Sequence, residues 1–327
     1  MPESCLIVEH ETEYLYSAPV AFAQHLAYLR PLEDDFQEVR DYALEVEPTP
    51  TQLQERRDSF GNARSFFACT EAHERLRVRA RSQVRLRERF AALDTPASPA
   101  WETVRDSLHF VAGRPFVPAA EFSFASSLVP CDAVLRDYAA PLFGPQRPFL
   151  EAALELMHRI HADFRYDTTS TDVSTPVLQA FAARSGVCQD FSHVMIACLR
   201  SLGLAARYVS GYLHTQARFC TAPAGQSQAA GGPAPSPASS PTSSPASSTS
   251  AGTGVVGADA SHAWVAVYCP HNGWVELDPT NDAIPGTGHV RLAYGRDYRD
   301  VAPLRGVVQG GGEHILRVGV RLRELDA

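Results

Sequence analysis

The chain has 327 residues, of which 45% are hydrophobic and 20% are charged, and its formal net charge is −8. These proportions exclude a fibrous repeat, a mostly disordered chain and a membrane protein, and the acidic balance argues against a general nucleic-acid binder. At roughly 100 to 200 residues per domain, the length predicts two domains. We therefore expect a soluble globular protein that binds neither nucleic acid nor membrane.

The seven cysteines are scattered, and the two closest in sequence, Cys188 and Cys198, are too far apart for a C-x-x-C metal or redox motif. The N-terminus lacks the basic start and apolar run of a secretory signal, and no stretch approaches the roughly 18 apolar residues of a membrane-spanning helix. We accordingly predict reduced thiols, a cytoplasmic location, and no cofactor or metal.

Residues 1–100 show the two-residue period of β-strands. Apolar and polar residues alternate over 8–16, 42–46 and 75–87, and residues 58–62 have the chemistry of a turn. Arginines fill the polar positions of 75–87, which we interpret as a solvated strand face, the alternative being a site for an anionic ligand. The sequence predicts an antiparallel β domain here.

The next part of the chain is less regular. Prolines punctuate residues 101–147, where we predict only one helix, near 100–111. After Pro148, apolar residues recur with the 3.6-residue period of an amphipathic helix. His158 and His161 lie three apart on this helix; a metal site is one interpretation, but no third ligand is near in sequence, and we favour a packed helix.

Cys188 stands at the predicted start of a second helix. Apolar residues recur at helical spacing from Phe191 to Leu202, and Gly203 is in position for a left-handed cap. At a helix N-terminus, the dipole and the free N–H groups stabilise a thiolate and can donate to an oxyanion. The alternative for Cys188 is a small buried hydrophobic residue, which is the commoner role of cysteine.

Two further strands are predicted over 261–268 and 274–279, joined by Pro-His-Asn-Gly. With the turn centred near residue 270, His262 lies opposite Asp278 and Trp264 opposite Glu276, and a shift of one or two residues leaves them diagonal neighbours. A carboxylate beside a histidine orients the ring and stabilises its protonated form. With Cys188, this pair makes a Cys-His-Asp triad that can transfer the acyl group of an amide to a thiol.

Three segments, in this order, resemble the core of the transglutaminase-like superfamily: Gly-Val-Cys-Gln-Asp-Phe at 186–191, Ser-His-Ala-Trp-Val at 261–265 and Trp-Val-Glu-Leu-Asp-Pro-Thr-Asn at 274–281. The resemblance implies an α+β fold with a papain-like core, in which a nucleophile helix packs on an antiparallel sheet, preceded by an antiparallel β domain. It also implies Cys188 as nucleophile, His262 as general base and acid, and Asp278 as the orienting carboxylate. The N-terminal region resembles that of bacterial members.

Two features of the animal cross-linking enzymes are missing. No segment has the alternating acidic spacing of an EF-type calcium loop, and no tryptophan lies shortly upstream of Cys188 to serve as an oxyanion donor. We expect the backbone N–H of Cys188 to be the first donor, with Gln189 or Tyr166 as candidates for the second. Asp190 and His193 are interpreted as structural residues that fix the start of the helix.

The resulting organisation has a β-rich domain at 1–100, a mixed connection at 101–147, a catalytic core at 148–310 and a C-terminal strand at 311–327. Residues 219–258 carry no charge and are rich in Pro, Ala and Ser, a composition that predicts a disordered insertion. Cys188 precedes this insertion and the other two triad residues follow it, so it interrupts the core rather than separating domains. We hypothesise that it hangs beside the mouth of the active site, the alternative being an insertion without a role.

Three functions remain open. We favour a cysteine enzyme that hydrolyses peptide or isopeptide bonds through a thioester, because the features of the cross-linking enzymes are missing. The alternatives are acyl transfer to an amine, as in protein cross-linking or amidation, and a peptide-binding module without turnover. A peptide or protein is the expected partner, and the sequence leaves the oligomeric state open.

Overall fold

Two antiparallel sheets organise this computed structural model, which describes residues 3–113, 115–214 and 261–325. The predicted disordered insertion at 219–258, with the hypothesis about its position, lies outside the described residues. None of the described helices is both long and apolar enough to cross a membrane.

The first sheet combines the N-terminal strands with two strands from the far end of the chain. Its order is β2-β5-β1-β4-β3, and β12 and β13 also pair with β1. The strands are β1 (Glu3–Ala27), β2 (Gln37–Glu47), β3 (Gln52–Arg57), β4 (Ala63–Cys69), β5 (His73–Arg87), β12 (Leu304–Gly310) and β13 (His314–Glu324). Residues 304–310, which the sequence grouped with the core, therefore join the N-terminal sheet.

The arginine row of β5 forms ion pairs with glutamates on both neighbouring strands. Arg79 lies opposite Glu11 of β1 and Glu45 of β2, with nitrogen–oxygen distances of 3.1 Å and 3.4 Å. Cross-strand pairs of opposite charge on a solvated face stabilise a sheet only modestly. This arrangement agrees with a solvated strand face.

The second sheet is smaller and lies in the core region at 148–310, in the order β10-β9-β8-β11. The core contains β8 (Ala206–Leu213), β9 (Ser261–Cys269), β10 (Gly273–Leu277), β11 (His289–Gly295) and a parallel pair, β6 (Arg165–Tyr166) with β7 (Ser185–Gly186). The helices are α1 (Trp101–Ser107), α2 (Ala133–Ala139), α3 (Phe149–Asp163), α4 (Val177–Ala183), α5 (Cys188–Ser201) and α6 (Tyr298–Val301), with 3-10 turns at Pro118–Ser123 and Ala140–Leu142.

Helix α5 lies at the centre of the core. It packs on β9 and β8 and against α2, α3 and α4, so every residue from Gln189 to Arg200 is buried. The helix stops where predicted: Gly203 adopts a left-handed conformation with φ +79°. A helix that is buried on all sides holds its first residue in a fixed place, and here that residue is Cys188.

Two buried side-chain amides join the N-terminal sheet to the edge strand β11 of the core sheet. Gln37 donates to the carbonyl of Arg291 at 2.8 Å and accepts from its N–H at 2.9 Å. Asn62 makes the same two hydrogen bonds with Tyr294, both at 2.8 Å. The amides take the place that a further strand would occupy and so cover the open edge.

Candidate active site

A buried carboxylate fixes the chain just before Cys188. Asp190 accepts hydrogen bonds from the N–H of Val187 at 2.8 Å and from the hydroxyl of Thr171 at 2.7 Å. A Cβ on Gly186 would lie 2.4 Å from the carboxylate oxygen, so only glycine fits beside this cap. Cys188 is thereby presented at the first position of α5 with its side chain partly exposed.

His262 and Asp278 meet at the end of the hairpin formed by β9 and β10. The Nε2 atom of His262 lies 2.7 Å from Oδ2 of Asp278, and both side chains are fully buried. The ladder is shifted by two residues from the predicted one, with Cys269 opposite Gly273 and Val265 opposite Leu277. The predicted direct pairing is therefore wrong, and the contact is diagonal.

The shift follows from the turn. Residues 270–272 form a three-residue loop, in which Asn272 N–H donates to the carbonyl of Cys269, and Gly273 has φ +69°. Three-residue hairpin loops of this type carry a glycine in the left-handed conformation. The centre of this loop is residue 271, one position beyond the predicted centre near residue 270. The second predicted pair also makes contact, because the indole N–H of Trp264 donates to Glu276 at 2.9 Å.

Opposing effects set the protonation of the buried pair. Burial disfavours a charged ring on His262, but the charge of Asp278, its hydrogen bond and the neighbouring Cys188 together raise the His262 pKa to about 10. Burial alone would raise the pKa of Asp278, whereas the charge and hydrogen bond of His262 and a hydrogen bond from His289 hold it well below its usual range. An imidazolium beside a carboxylate is thus the favoured state.

The second ring nitrogen of His262 is directed to the nucleophile candidate. With Nε2 engaged by Asp278, the buried Nδ1 is the ring nitrogen that is left to interact with Cys188. Cys188 is close enough to raise the His262 pKa through a hydrogen bond and through its charge. The three predicted site residues are therefore contiguous, in the order Cys188, His262, Asp278.

Asp278 receives more donors than the sequence analysis anticipated. The side-chain amide of Asn281 donates to Oδ2 at 2.8 Å, and His289 lies 3.2 Å from the same oxygen. The N–H groups of Thr280 and Asn281 donate to Oδ1 at 3.0 Å and 3.3 Å. Asn281 lies in the third segment that resembles the superfamily, where the residue pattern indicates no role for it. His289 is a lone histidine at a strand start, which carries no sequence signal.

Two histidines and Asp278 also form a set that could be considered for metal binding. Three potential ligand atoms, one from each of His262, Asp278 and His289, lie within 4.8 Å of one another. In the structure, Nε2 of both rings points to the same carboxylate oxygen, an arrangement explained by hydrogen bonds. The three side chains therefore form a hydrogen-bonded group.

The two histidines of α3 contact the loop that follows Asp278. His158 is hydrogen-bonded to Asp282, which raises the His158 pKa, and His161 donates to the carbonyl of Thr280 at 3.0 Å. This agrees with the preferred interpretation of a packed helix. Their contacts brace the segment that supplies the donors to Asp278.

The candidate oxyanion donors are the N–H of Cys188 and the side chains of Gln189 and Tyr166. Asp190 and Phe191 donate to the carbonyl of Val187, so the N–H groups of Cys188 and Gln189 precede the first intrahelical bonds of α5. The Gln189 side chain donates to the carbonyl of Val173 at 3.2 Å. Burial raises the pKa of Tyr166, and the charge of Cys188 raises it further.

His193 lies one turn further along α5. It accepts a hydrogen bond from the N–H of Tyr298 at 3.1 Å, and burial lowers its pKa to about 4. The ring therefore stays neutral and links the helix to α6.

Comparisons with known proteins match this architecture over most of the chain. A model of the bacterial transglutaminase-like N-terminal region matches residues 6–85, and a model of the transglutaminase-like superfamily matches residues 136–279. A solved structure from Cytophaga hutchinsonii, named provisionally as a cysteine protease, covers 100% of this chain and 92% of its own, with a TM-score of 0.68 and 20% identity. At that identity the likeness shows the fold, and it confirms the papain-like prediction.

Two mycobacterial relatives are similar along nearly their whole length. An uncharacterised protein of Mycobacterium tuberculosis (strain ATCC 25618 / H37Rv) is 36% identical over 313 residues, which are 94% of this chain and 88% of the relative. An uncharacterised protein of Mycobacterium leprae is 27% identical over 318 residues, with 97% and 98% covered. The chain therefore belongs to the transglutaminase-like superfamily and carries a bacterial transglutaminase-like N-terminal region.

Proposed function

We propose that this protein is a cysteine enzyme that hydrolyses peptide or isopeptide bonds through a thioester on Cys188. The observation that carries the proposal is the contiguous arrangement of a partly exposed cysteine at a helix start, a buried histidine and a buried carboxylate. An imidazolium that is stabilised by Asp278 favours the thiolate of Cys188 as its counter-ion.

In this mechanism, the thiolate sulfur attacks the carbonyl carbon of the amide, and a carbon–sulfur bond forms. The proton held by His262 passes to the leaving nitrogen as the carbon–nitrogen bond breaks, which leaves a thioester and a neutral imidazole. His262 then takes a proton from water as the water oxygen attacks the thioester. Cleavage of the carbon–sulfur bond releases the carboxylic acid and returns the proton to the Cys188–His262 pair.

Charge that develops on the carbonyl oxygen requires donors close to the nucleophile. The N–H of Cys188 at the N-terminus of α5 is suited to this role, because it has no acceptor within the helix. Tyr166 is our candidate for the second donor, since the side chain of Gln189 already holds the carbonyl of Val173.

The proposal is tested with the variant Cys188→Ala and a panel of peptides that carry amide and isopeptide bonds. We expect the wild type to release amine and acid and to form a covalent adduct on Cys188, visible by mass spectrometry, whereas the variant does neither. Cys131→Ala, which removes an exposed thiol, is the matched control and should retain full activity. Equal turnover by Cys188→Ala and wild type would refute the proposal.

Adding a primary amine separates hydrolysis from acyl transfer. Hydrolysis gives the free acid whether or not amine is present, whereas transfer gives a new amide in proportion to the amine. A chain that binds peptides equally well with and without the Cys188 thiol, and turns over none of them, would instead be a binding module.

A further inference from the structure

We propose that His289 is a positioning residue of this site, a second histidine that holds the Asp278 carboxylate in the orientation that His262 requires. The inference rests on the proposed function and adds a residue to it. It is drawn from the juxtaposition of two buried histidines on one carboxylate oxygen.

The geometry places the carboxylate between the two rings. Oδ2 of Asp278 is 2.7 Å from Nε2 of His262 and 3.2 Å from Nε2 of His289. The two ring centroids lie 6.2 Å apart, and the exposed fraction of each histidine is 2%. An ionised carboxylate only accepts hydrogen bonds, so a proton must lie on Nε2 of each ring.

The two rings carry different charges. Burial lowers the pKa of His289, the bond to Asp278 opposes this, and the nearby charge of His262 lowers it further, with a net downward shift. His289 is therefore a neutral donor next to an imidazolium at His262. A neutral donor fixes the carboxylate without repelling the charge on His262.

Rigid elements hold His289 in place. It is the first residue of β11 and lies opposite Leu213 of β8, and its N–H donates to the carbonyl of Gly286 at 3.1 Å. Its ring packs edge-on against Trp264, with ring centroids 5.1 Å apart. Among the described residues, the charged groups around it include Asp278, His262 and Glu276, and Arg87, Arg89 and Arg291 line the same small cavity.

The side-chain donors to Oδ2 of Asp278 come from different elements of the fold. Asn281, which also donates to Oδ2, belongs to the loop after β10, whereas His289 belongs to a strand of the sheet. His289 therefore holds the carboxylate from an element that is separate from the loop of Asp278 and Asn281. Loss of a comparable supporting hydrogen bond at metal sites lowers affinity or activity about 10- to 100-fold.

The test measures alkylation of Cys188 by iodoacetamide in the full-length chain, which needs no substrate. At pH 6 an ordinary thiol is mostly protonated and slow, whereas a thiolate paired with an imidazolium is fast. We compare His289→Leu, which removes the donor, with His289→Gln, whose side-chain amide ends near the position of Nε2. N-acetylcysteine that is alkylated in parallel is the reference for an ordinary thiol, because burial raises the pKa of Cys131.

We expect His289→Leu to slow alkylation of Cys188 at pH 6 roughly tenfold, while His289→Gln stays within about twofold of wild type. All variants should converge at alkaline pH, where an ordinary thiol is ionised. Rescue by the amide separates positioning from simple packing. If His289→Leu does not fold, His289→Asn replaces it as the variant without the donor, because its shorter side-chain amide does not reach Asp278.

Wild-type rates in His289→Leu or His289→Asn would overturn the inference, as would equal losses in the Gln variant and the donor-free variant. If wild-type Cys188 reacts no faster at pH 6 than N-acetylcysteine, the proposed function itself fails. The two failures are therefore distinguishable.

Discussion

At the scale of single residues, the main feature of the site is a pair of opposite charges shielded from water. Burial of an isolated charge is so unfavourable that the group normally becomes neutral. Asp278 avoids this because side chains and backbone N–H groups donate to both of its oxygens, and His262 because it lies against that carboxylate. Removing one partner of such a pair leaves the other uncompensated.

The two pKa shifts predict a defined pH dependence of stability. Asp278 has a lowered pKa in the folded state, so its contribution is present above about 3.8 and is lost as the pH falls. His262 has a pKa raised from 6.5 to about 10, so its contribution is complete below 6.5 and is lost as the pH rises through about 10. Both contributions to stability are therefore complete between about pH 3.8 and pH 6.5.

We therefore expect Asp278→Asn to lower the melting temperature most between about pH 4 and 6.5, with a difference from wild type that shrinks towards pH 10. Calorimetry across this range provides the measurement. Asp137→Asn, which alters an exposed carboxylate paired with Arg136, is the control and should show no such profile. A difference that does not vary with pH would contradict the assigned charges.

At the scale of elements, β8 and β9 position the site through one close approach. Gly211 of β8 lies opposite His262, and a Cβ at this position would be 2.2 Å from the carbonyl oxygen of Val290 and 2.4 Å from the ring of Trp264. Trp264 in turn packs against His262 and His289, with ring centroids 5.9 Å and 5.1 Å away. Glycine is required here so that three strands and the indole can meet.

Gly211→Ala is accordingly expected to lower the free energy of unfolding by about 1–3 kcal/mol, because the extra methyl group overpacks the core. Displacement of Trp264 should also slow alkylation of Cys188 at pH 6. Gly319→Ala in β13 is the matched control, since a Cβ there has no heavy atom within 4 Å. Urea unfolding of the two variants measures the difference in their free energies of unfolding. Equal losses in both variants would show that the close contacts at Gly211 do not exclude a methyl group.

Helix α5 illustrates how polar residues can be buried on every side of a helix. Arg200 donates to the backbone carbonyls of Phe122, Ala206 and Arg296, at 2.9 Å, 2.8 Å and 2.7 Å. These bonds satisfy a guanidinium that is only 2% exposed and tie the helix to three loops and strands. The helical period predicted one buried face, and the long-range partners explain why the other faces are buried as well.

At the scale of the whole molecule, the N-terminal sheet supports the edge of the core sheet that carries the candidate site. The amides of Gln37 and Asn62 satisfy backbone groups of β11, the strand that begins with His289. Gln37 also donates to the carbonyl of Leu32 at 2.7 Å. The two sheets are therefore coupled through hydrogen bonds as well as apolar contact.

Gln37→Ala should lower the free energy of unfolding by about 1–3 kcal/mol, since it leaves the buried N–H of Arg291 in β11 without an acceptor. Gln54→Ala in β3, which changes an exposed glutamine, should have almost no effect. Denaturant titration of the two variants gives the comparison. Identical midpoints would mean that the amide contact contributes nothing to stability.

The sequence by itself determined the strand alternation of β1 and β5, the start of α5 at Cys188 and the meeting of His262 with Asp278. Each depends on short-range chemistry: a two-residue or 3.6-residue period, a helix start, or a turn that returns the chain on itself. These short-range patterns do not predict the exact register of the β9–β10 hairpin, because the register depends on the left-handed conformation of Gly273.

Only the tertiary structure decided which distant side chains complete the site. His289 reaches Asp278 although β11 and β10 lie at opposite edges of the sheet, and Gln37 meets Arg291 although 254 residues separate them. Such contacts leave no periodic trace, since a single polar residue at a strand end looks the same whether it faces water or a buried carboxylate. They arise when packing removes water and buried donors and acceptors must find each other.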